Sequence, residues 1–231
     1  MGFLTNFFTN VFDEEQTEAL PLVSSFDEVS EEQLEDHLSV SRYGSFQLTD
    51  AVRPSFNLEV VPSAGFRHDT YHDDESKADV PVLMASASRE RLMETFVDLL
   101  APLGPSVDVV LETSHGHSAG QHTDLYREQI DMPILQSILW DFEDLLTNDG
   151  CTGIAVLNPR LPQEVQLDEH KLLIVYGSDL RAYEGVLIDN YIDCREEIRF
   201  ITEAEHVHST TDNYIQQFAE LKMRLGMDGT V

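Results

Sequence analysis

The sequence predicts an α+β fold, in which a mixed, largely antiparallel sheet carries helices packed on one face. An acidic N-terminal arm with an amphipathic helix precedes this sheet. Segments with an apolar residue at every second position alternate with segments of helical periodicity, which indicates both strands and helices. Two strands are separated by a short polar turn, as in an antiparallel hairpin. At 231 residues and 42% apolar composition, the chain is able to bury a core.

Residues 1–40 form the predicted arm, and residues 41–231 form a single α+β domain. The arm holds ten acidic residues and no Lys or Arg. Apolar residues recur at helical spacing within Phe3–Phe12, and so short a helix is stable only when it packs on something. A second helix begins at Ser30, which forms a capping box with Gln33. The stripe on the first helix consists of Phe3, Leu4, Phe7, Phe8, Val11 and Phe12.

The strands and helices of the first half of the domain are predicted from four signals, which are alternation, apolar runs, helix caps and helix-stopping residues. A polar and acidic stretch without periodicity predicts a loop, whereas a Ser before an apolar helical face predicts a helix start. In order, we expect a strand at Phe56–Val60, an exposed loop at Phe66–Asp79, a strand at Val80–Ala87, a helix from Ser88 to Leu100, a strand at Val107–Leu111 and a polar surface connection at Glu112–Gln129.

The second half begins with the strongest helical pattern, which has Pro in its first turn and Gly at its end. The polar residues Asp168, Glu169 and His170 lie between two apolar stretches and predict a hairpin turn. In order, we expect a helix from Asp131 to Gly150, a strand at Gly153–Leu157, hairpin strands at Val165–Leu167 and Lys171–Tyr176, a helix from Ser178 to Tyr191, a strand at Ile198–Ile201 and a helix from Thr211 to Leu225.

The charge of the chain excludes two classes of partner. The formal net charge is −29, from 43 acidic and 14 basic residues. Nucleic acids and anionic membranes both require a basic surface, so we expect neither as a partner. No apolar run reaches the length of a membrane span, and Met1–Phe12 lacks the basic residues and cleavage site of a secretory signal. These features favour a cytoplasmic location.

One short motif is typical of a serine hydrolase. The segment Gly116–Gly120 reads GHSAG, which matches the G-x-S-x-G pattern of a nucleophile elbow and places Ser118 as the nucleophile. His206 or His208 follows as a general base, and Asp168, Asp179 or Asp189 lies between them in the chain order that such a triad requires. The strand before the motif ends four residues early, and no apolar helix follows, so the context of an elbow is incomplete.

Histidines near carboxylates suggest a second kind of chemistry. A His-x-His pair in an extended chain places both rings on one side of the chain, and a nearby carboxylate completes a zinc or iron site. None of the spacings matches a known metalloenzyme signature. The candidate ligands are His68, His72, His115, His117 and His122.

From these patterns we expect a non-enzymatic, acidic, cytoplasmic protein that acts through protein–protein contact. The Phe3–Phe12 helix would pack either on the body of its own domain or, as a contact surface, on a second copy of the chain or another protein, and no cofactor is expected. Two enzymatic alternatives remain open. One is the Ser118 hydrolase, and the other is a metal-dependent enzyme that uses the His-rich loop.

Moderate salt is expected to stabilise the folded chain, because it screens the repulsion among the 43 acidic side chains. The Debye length falls from about 30 Å at 0.01 M to about 10 Å at 0.1 M salt. Thermal unfolding followed by circular dichroism over this range should show a rising midpoint. A falling midpoint would show that attractive ion pairs outweigh the repulsion.

Overall fold

The computed structural model describes residues 24–27, 29–73, 78–116 and 122–227. The Phe3–Phe12 helix, together with His117 and Ser118, lies outside these residues. Within them, no helix is both long and apolar enough to cross a membrane.

The described residues form eleven strands and six α-helices, together with two single-turn 3₁₀-helices. The strands are β1 (Arg42–Tyr43), β2 (Phe46–Gln47), β3 (Val52–Pro54), β4 (Gly65–Asp73), β5 (Ala78–Ser86), β6 (Ser106–Thr113), β7 (Thr123–Asp131), β8 (Thr152–Leu157), β9 (Gln163–Leu167), β10 (Leu172–Gly177) and β11 (His206–His208). The α-helices are α1 (Glu31–Ser39), α2 (Arg89–Leu99), α3 (Met132–Asp141), α4 (Glu143–Asn148), α5 (Arg181–Asp189) and α6 (Asp212–Arg224), and the 3₁₀-helices are Ala101–Leu103 and Ile201–Glu203.

Seven strands form the main sheet in the order β4-β5-β10-β9-β8-β6-β7. All six pairings are antiparallel, which confirms the predicted α+β class with a largely antiparallel sheet. Two small antiparallel sheets, β1–β2 and β3–β11, lie beside it. The hairpin predicted around Asp168–His170 is the β9–β10 connection.

One face of the sheet forms the main core with the helices. Residues that pair directly across neighbouring strands point to the same face of the sheet. The strand register therefore identifies rows of side chains that cross the sheet. The helices α2 to α6 all contribute buried residues to the same cluster. Two such rows are Val109–Val156–Val165–Val175–Leu83 and Leu111–Ile154–Leu167–Leu173–Ala85–Phe66.

The opposite face of the sheet carries a different mixture of apolar and polar side chains, and we call it the second face. The Gln166 amide donates to the Glu112 carboxyl at 3.2 Å. Glu164 is 1% exposed, and neither of its carboxyl oxygens has a hydrogen-bond partner among the described residues. The rows of this face are Val110–Ala155–Gln166–Ile174–Met84 and Leu157–Glu164–Tyr176–Val82.

Both edge strands occupy sequence that was predicted to be loop. The stretch Phe66–Asp79 forms most of β4 and the start of β5, and Glu112–Gln129 holds the end of β6 and most of β7. An edge strand exposes one side of its backbone and many of its side chains, so its residues are polar without a strict alternation. Each edge strand is defined by its hydrogen bonds to the adjacent strand of a hairpin, and this pairing leaves no alternation in the side chains.

Smaller differences have local causes. Phe56–Val60 is a turn rather than a strand, with Leu58 in the left-handed region at φ 51°. The long helix after Asp131 breaks at Phe142 into α3 and α4, where the backbone departs from helical angles. The strand expected at Ile198–Ile201 is irregular chain up to Phe200, a 3₁₀-helix begins at Ile201, and a strand forms later as β11. The Ser30–Gln33 capping box is present as predicted.

Glu112→Gln is expected to raise the free energy of unfolding at pH 8 and to leave it almost unchanged at pH 4. The pKa of Glu112 is raised from 4.5 to about 8, first by burial and then by the charges of Asp124 and Asp168. Between these values the native state holds a proton that the unfolded chain has released, so the contribution of Glu112 to stability falls as the pH rises. At about 1.4 kcal/mol per pKa unit, the gain at pH 8 is at most about 5 kcal/mol.

Urea unfolding at pH 4, 6 and 8 measures this effect. Glu128→Gln, at an exposed position on β7, is the matched control and should change stability little at any of the three values. Equal effects of Glu112→Gln at pH 4 and pH 8 would contradict the expectation.

Candidate metal centre

Several residues with reactive side chains gather at one end of the main sheet. Strand β6 ends there and β8 begins there, with Thr113 paired to Thr152. The β9–β10 turn lies at the same end, because β9 runs antiparallel to β8. Strand β11 docks beside this end through Gly150, whose N–H donates to the carbonyl of Ser209 at 2.8 Å.

Three histidines meet where these segments adjoin. The ring centroids of His170 and His206 are 4.8 Å apart, those of His170 and His208 are 4.7 Å apart, and those of His206 and His208 are 5.1 Å apart. Each ring offers one nitrogen to a group in which all ligand atoms lie within 4.8 Å of one another. The three rings therefore surround one point.

Two structural elements bring these histidines together. His206 and His208 are two residues apart on β11, which pairs with β3, so their side chains lie on one side of the strand. His170 comes from the tight β9–β10 turn, where the N–H of Lys171 donates to the carbonyl of Asp168 at 3.1 Å. Lys171 has φ 65°, which ends the turn and starts β10.

Each of the three rings is held through its Nδ1 atom. His206 Nδ1 lies 2.8 Å from the Ala204 carbonyl, and His208 Nδ1 lies 2.6 Å from the Gly150 carbonyl. His170 Nδ1 lies 2.9 Å from a carboxylate oxygen of Asp168. Carbonyl and carboxylate oxygens accept hydrogen bonds, so Nδ1 carries the hydrogen in each ring. In the neutral ring the lone pair is then on Nε2, which is the nitrogen that would bind a metal ion.

Asp168 links the centre to the sheet. The carboxylate is 5% exposed, and its second oxygen accepts the N–H of Leu172 at 2.7 Å. Burial by itself would raise the pKa of Asp168, but the charge and hydrogen bond of His170 hold it below its usual range. Burial likewise would lower the pKa of His170, and the Asp168 carboxylate raises it overall. This carboxylate–histidine pair resembles the partner that fixes a metal-bound imidazole in many zinc sites.

His208 has the opposite electrostatic character. Burial, followed by the positive charge of His170, lowers its pKa. A neutral imidazole is the form that binds metal, so His208 is prepared for coordination at neutral pH.

Gly150 fixes the position of His208 relative to the sheet. Its carbonyl accepts from His208, and a Cβ atom at this position would lie 2.3 Å from the carbonyl oxygen of Ala51. The N–H of Ser209 donates to that same Ala51 oxygen at 2.8 Å. Only glycine permits so close an approach of the two chain segments.

A small cleft adjoins the histidines. Of the three histidines, His170 lines this cleft, together with Lys171, Arg199 and mainly apolar residues that include Leu172 and Phe200. The Arg199 guanidinium contacts the carboxylates of Glu59 and Glu203, at 3.3 and 3.6 Å, so its charge is already balanced. The cleft therefore gives the centre a mostly apolar neighbour.

The geometry suits a zinc-like ion. Zinc binds histidine nitrogens at about 2.0–2.1 Å, so three such nitrogens at tetrahedral angles lie about 3.3 Å apart. The ligand atoms of His170, His206 and His208 lie within 4.8 Å of one another, so they would have to approach by up to about 1.5 Å to reach that spacing. Three protein ligands leave a fourth position for water or substrate, which is the pattern of catalytic rather than structural zinc.

A second cluster lies on the other side of Gly150. His115 Nε2 is 2.9 Å from Asp149, a fully buried carboxylate, and Cys151 is close enough to complete a group of three. Thr152 donates to the same Asp149 oxygen at 2.5 Å. Lys171 donates to the carbonyl of Thr152 at 2.7 Å, and burial lowers its pKa to about 8.

The histidines proposed as ligands from the sequence are divided between separate places. His68 on β4 lies with Cys194 and Glu196, and His72 on the same strand contacts Asp79 at 2.8 Å. His115 belongs to the Asp149 cluster, and His122 lies 3.8 Å from Glu169. Among the described residues, no group of three possible ligands joins the β4 histidines to His115 or His122.

The segment that contains Ser118 joins β6 to β7, two antiparallel neighbours in the sheet. A nucleophile elbow instead joins a strand to a helix. The two histidines named as its general base, His206 and His208, lie with His170. Asp168, one of the acids considered for the triad, hydrogen-bonds to His170.

His170 is the ligand that sequence reasoning missed. It was recognised only as part of a polar hairpin turn, and no local spacing links it to His206, 36 positions later. The signals present in the sequence were the His-x-His pair and an Asp-x-His pair at Asp168.

Comparisons with known proteins found no match for the chain. No protein-family model matches it, and neither a search of curated proteins nor a search of solved structures returned a match.

Gly150→Ala is expected to lower the free energy of unfolding by about 1–3 kcal/mol, because the added methyl group collides with backbone atoms. Gly185→Ala is the matched control. Gly185 lies in α5, where an added Cβ meets nothing within 4 Å, so this change should add up to about 1 kcal/mol of helix stability. Urea unfolding of both variants measures the difference. Similar stability of the two variants would show that the Gly150 contact is not tight.

Proposed function

We propose that this protein is a metal-dependent enzyme whose zinc-like ion is bound by His170, His206 and His208 and activates a water molecule. The observation that supports the proposal is the convergence of three imidazoles whose Nδ1 atoms are each held by an oxygen acceptor. Accidental surface histidines have no reason to share this orientation.

The residues of the chain would divide the work as follows. His170, His206 and His208 bind the ion through Nε2, and Asp168 and the Gly150 and Ala204 carbonyls orient the rings. The ion, when bound, lowers the pKa of a coordinated water and supplies a hydroxide near neutral pH. The apolar walls of the adjoining cleft, Leu172 and Phe200 among them, would limit access of bulk water. Hydrolysis and hydration are the reactions that such a hydroxide serves.

The protein–protein contact expected from the sequence depends on the Phe3–Phe12 helix and stays a prediction. It is compatible with a metal centre at the end of the sheet.

Metal binding is tested on the full chain. After treatment with a chelator, isothermal titration with Zn²⁺ should show one strong site per chain. His170→Ala, His206→Ala and His208→Ala should each remove it, and Asp168→Asn should weaken it by about 10–100-fold through loss of the supporting carboxylate. At 100 times the dissociation constant, the ion should add about 2.7 kcal/mol to the free energy of unfolding.

His72→Ala is the matched control, since His72 is an exposed histidine paired with Asp79 on β4. It should bind zinc as the unchanged protein does. The proposal fails if the unchanged protein takes up no zinc, or if His72→Ala is as damaging as His208→Ala. Hydrolysis of an activated ester that is lost in Ser118→Ala, with zinc still bound, would favour the serine hydrolase instead.

A further inference from the structure

The second face of the sheet points away from the main core, yet several of its side chains are buried. Val110 is 2% exposed, Ala155 is 0% exposed and Leu157 is 5% exposed. These three form a buried cluster that includes no helix residue. On an uncovered sheet, such side chains would keep much of their surface in water, so a layer must lie over them.

The described residues cover only one part of this face. Ile198 and Phe200 pack against Leu172, and the Arg67 guanidinium lies 5.0 Å from the centre of the Phe200 ring. The buried residues of helices α2 to α6 belong to the main core on the opposite face. Within the described part of the chain, no further apolar residue packs against the Val110–Ala155–Leu157 cluster.

The start of the described chain lies near this face. The hydroxyl of Ser24 and the N–H of Ser25 both donate to the Glu205 carboxylate. Glu205 lies two residues after the Ile201–Glu203 3₁₀-helix, which continues from the segment that covers Leu172. Ser24, at the start of the described chain, is therefore bonded to the segment that follows this cover.

This segment is long enough to reach the cluster. A ten-residue helix at Phe3–Phe12 is about 15 Å long, and the eleven residues that follow it span up to about 36 Å when extended. Seven strands spaced about 4.8 Å apart give a sheet about 29 Å wide. The other undescribed stretches hold at most five residues each, too few to cover the face.

The apolar side of the predicted Phe3–Phe12 helix is chemically compatible with the second face of the sheet. Residues 1–12 include no charged side chain, and six large apolar residues lie on one side of the predicted helix. The second face combines apolar residues with the buried Glu112 and Glu164, whose raised pKa values, caused mainly by burial, favour neutral carboxylic acids. An uncharged apolar cover is compatible with neutral acids.

We propose that the second face is the docking surface for the chain's own Phe3–Phe12 helix, which covers Val110, Ala155 and Leu157. This inference is independent of the metal centre, which lies at the end of the sheet and not on this face.

A pair of charge-matched variants tests the docking. Phe7→Asp combined with Phe8→Asp places two charges on the apolar side of the helix, and should lower the thermal midpoint by about 5–10 °C and increase the fluorescence of a hydrophobic dye. Asn6→Asp combined with Asn10→Asp places the same charges on the polar side, and should change the midpoint by less than about 2 °C. Equal midpoints and equal dye binding in the two variants would overturn the proposal. So would strong dye binding by the unchanged protein, which would mean that the face awaits another occupant.

A cross-linking experiment decides the question even if the charged variant fails to fold. A photoreactive benzophenone amino acid replaces Phe8 in the full chain, and equal amounts of ¹⁴N- and ¹⁵N-labelled protein are mixed before irradiation. Cross-links within one chain to peptides from Ser106–Thr113 or Thr152–Leu157 are expected. Cross-links between labelled and unlabelled chains would assign the face to a second copy. Cross-links confined to residues 1–30 would show that the helix does not dock there.

Discussion

The arrangement of the candidate site depends on one backbone contact, the approach of Gly150 to the small β3–β11 sheet. Gly150 donates to Ser209 and accepts from His208, while Ser209 donates to Ala51. These bonds join a two-stranded sheet to the end of a seven-stranded one. Apart from the His208 side chain, they use only backbone N–H and C=O groups. The specificity comes from the missing side chain, because a Cβ atom at Gly150 would occupy the place of the Ala51 carbonyl. His206 and His208 reach His170 only because this contact exists.

The same contact separates two groups of polar residues that would otherwise merge. Asp149 and Cys151, on either side of Gly150, lie with His115, whereas the Gly150 carbonyl holds His208. Burial disfavours the charged forms of Lys171, His208 and Asp168 alike, but the charge and hydrogen bond of His170 keep Asp168 ionised. The end of the sheet therefore holds acids, a neutral histidine and a lysine of lowered pKa within a few residues of each other, although the chain as a whole is strongly acidic.

The parts of the fold that could be predicted from the sequence are those whose signal is local. The core strands around Val82, Val109, Ile154 and Val175 are apolar runs, and the β9–β10 turn is a polar interruption between two of them. The edge strands could not be predicted, because pairing across the sheet and not side-chain alternation defines them. The site was predictable only in pieces. Asp168, His206 and His208 were singled out only as members of a hydrolase triad, and the approach of His170 to β11 is a tertiary contact with no counterpart in sequence spacing.

The composition of the two edge strands has a consequence for how the protein behaves at high concentration. Open strand edges are templates for hydrogen bonding to other chains, and edge-to-edge pairing of this kind leads to aggregation. Strand β4 carries Arg67, His68 and Asp69 in succession, and β7 carries Arg127 and Glu128 beside a register shift in its pairing with β6. A foreign strand would have to approach a row of charges on β4 and an irregular backbone on β7. The polar stretches that concealed these strands in the sequence are thus the features that keep the sheet from growing beyond seven strands.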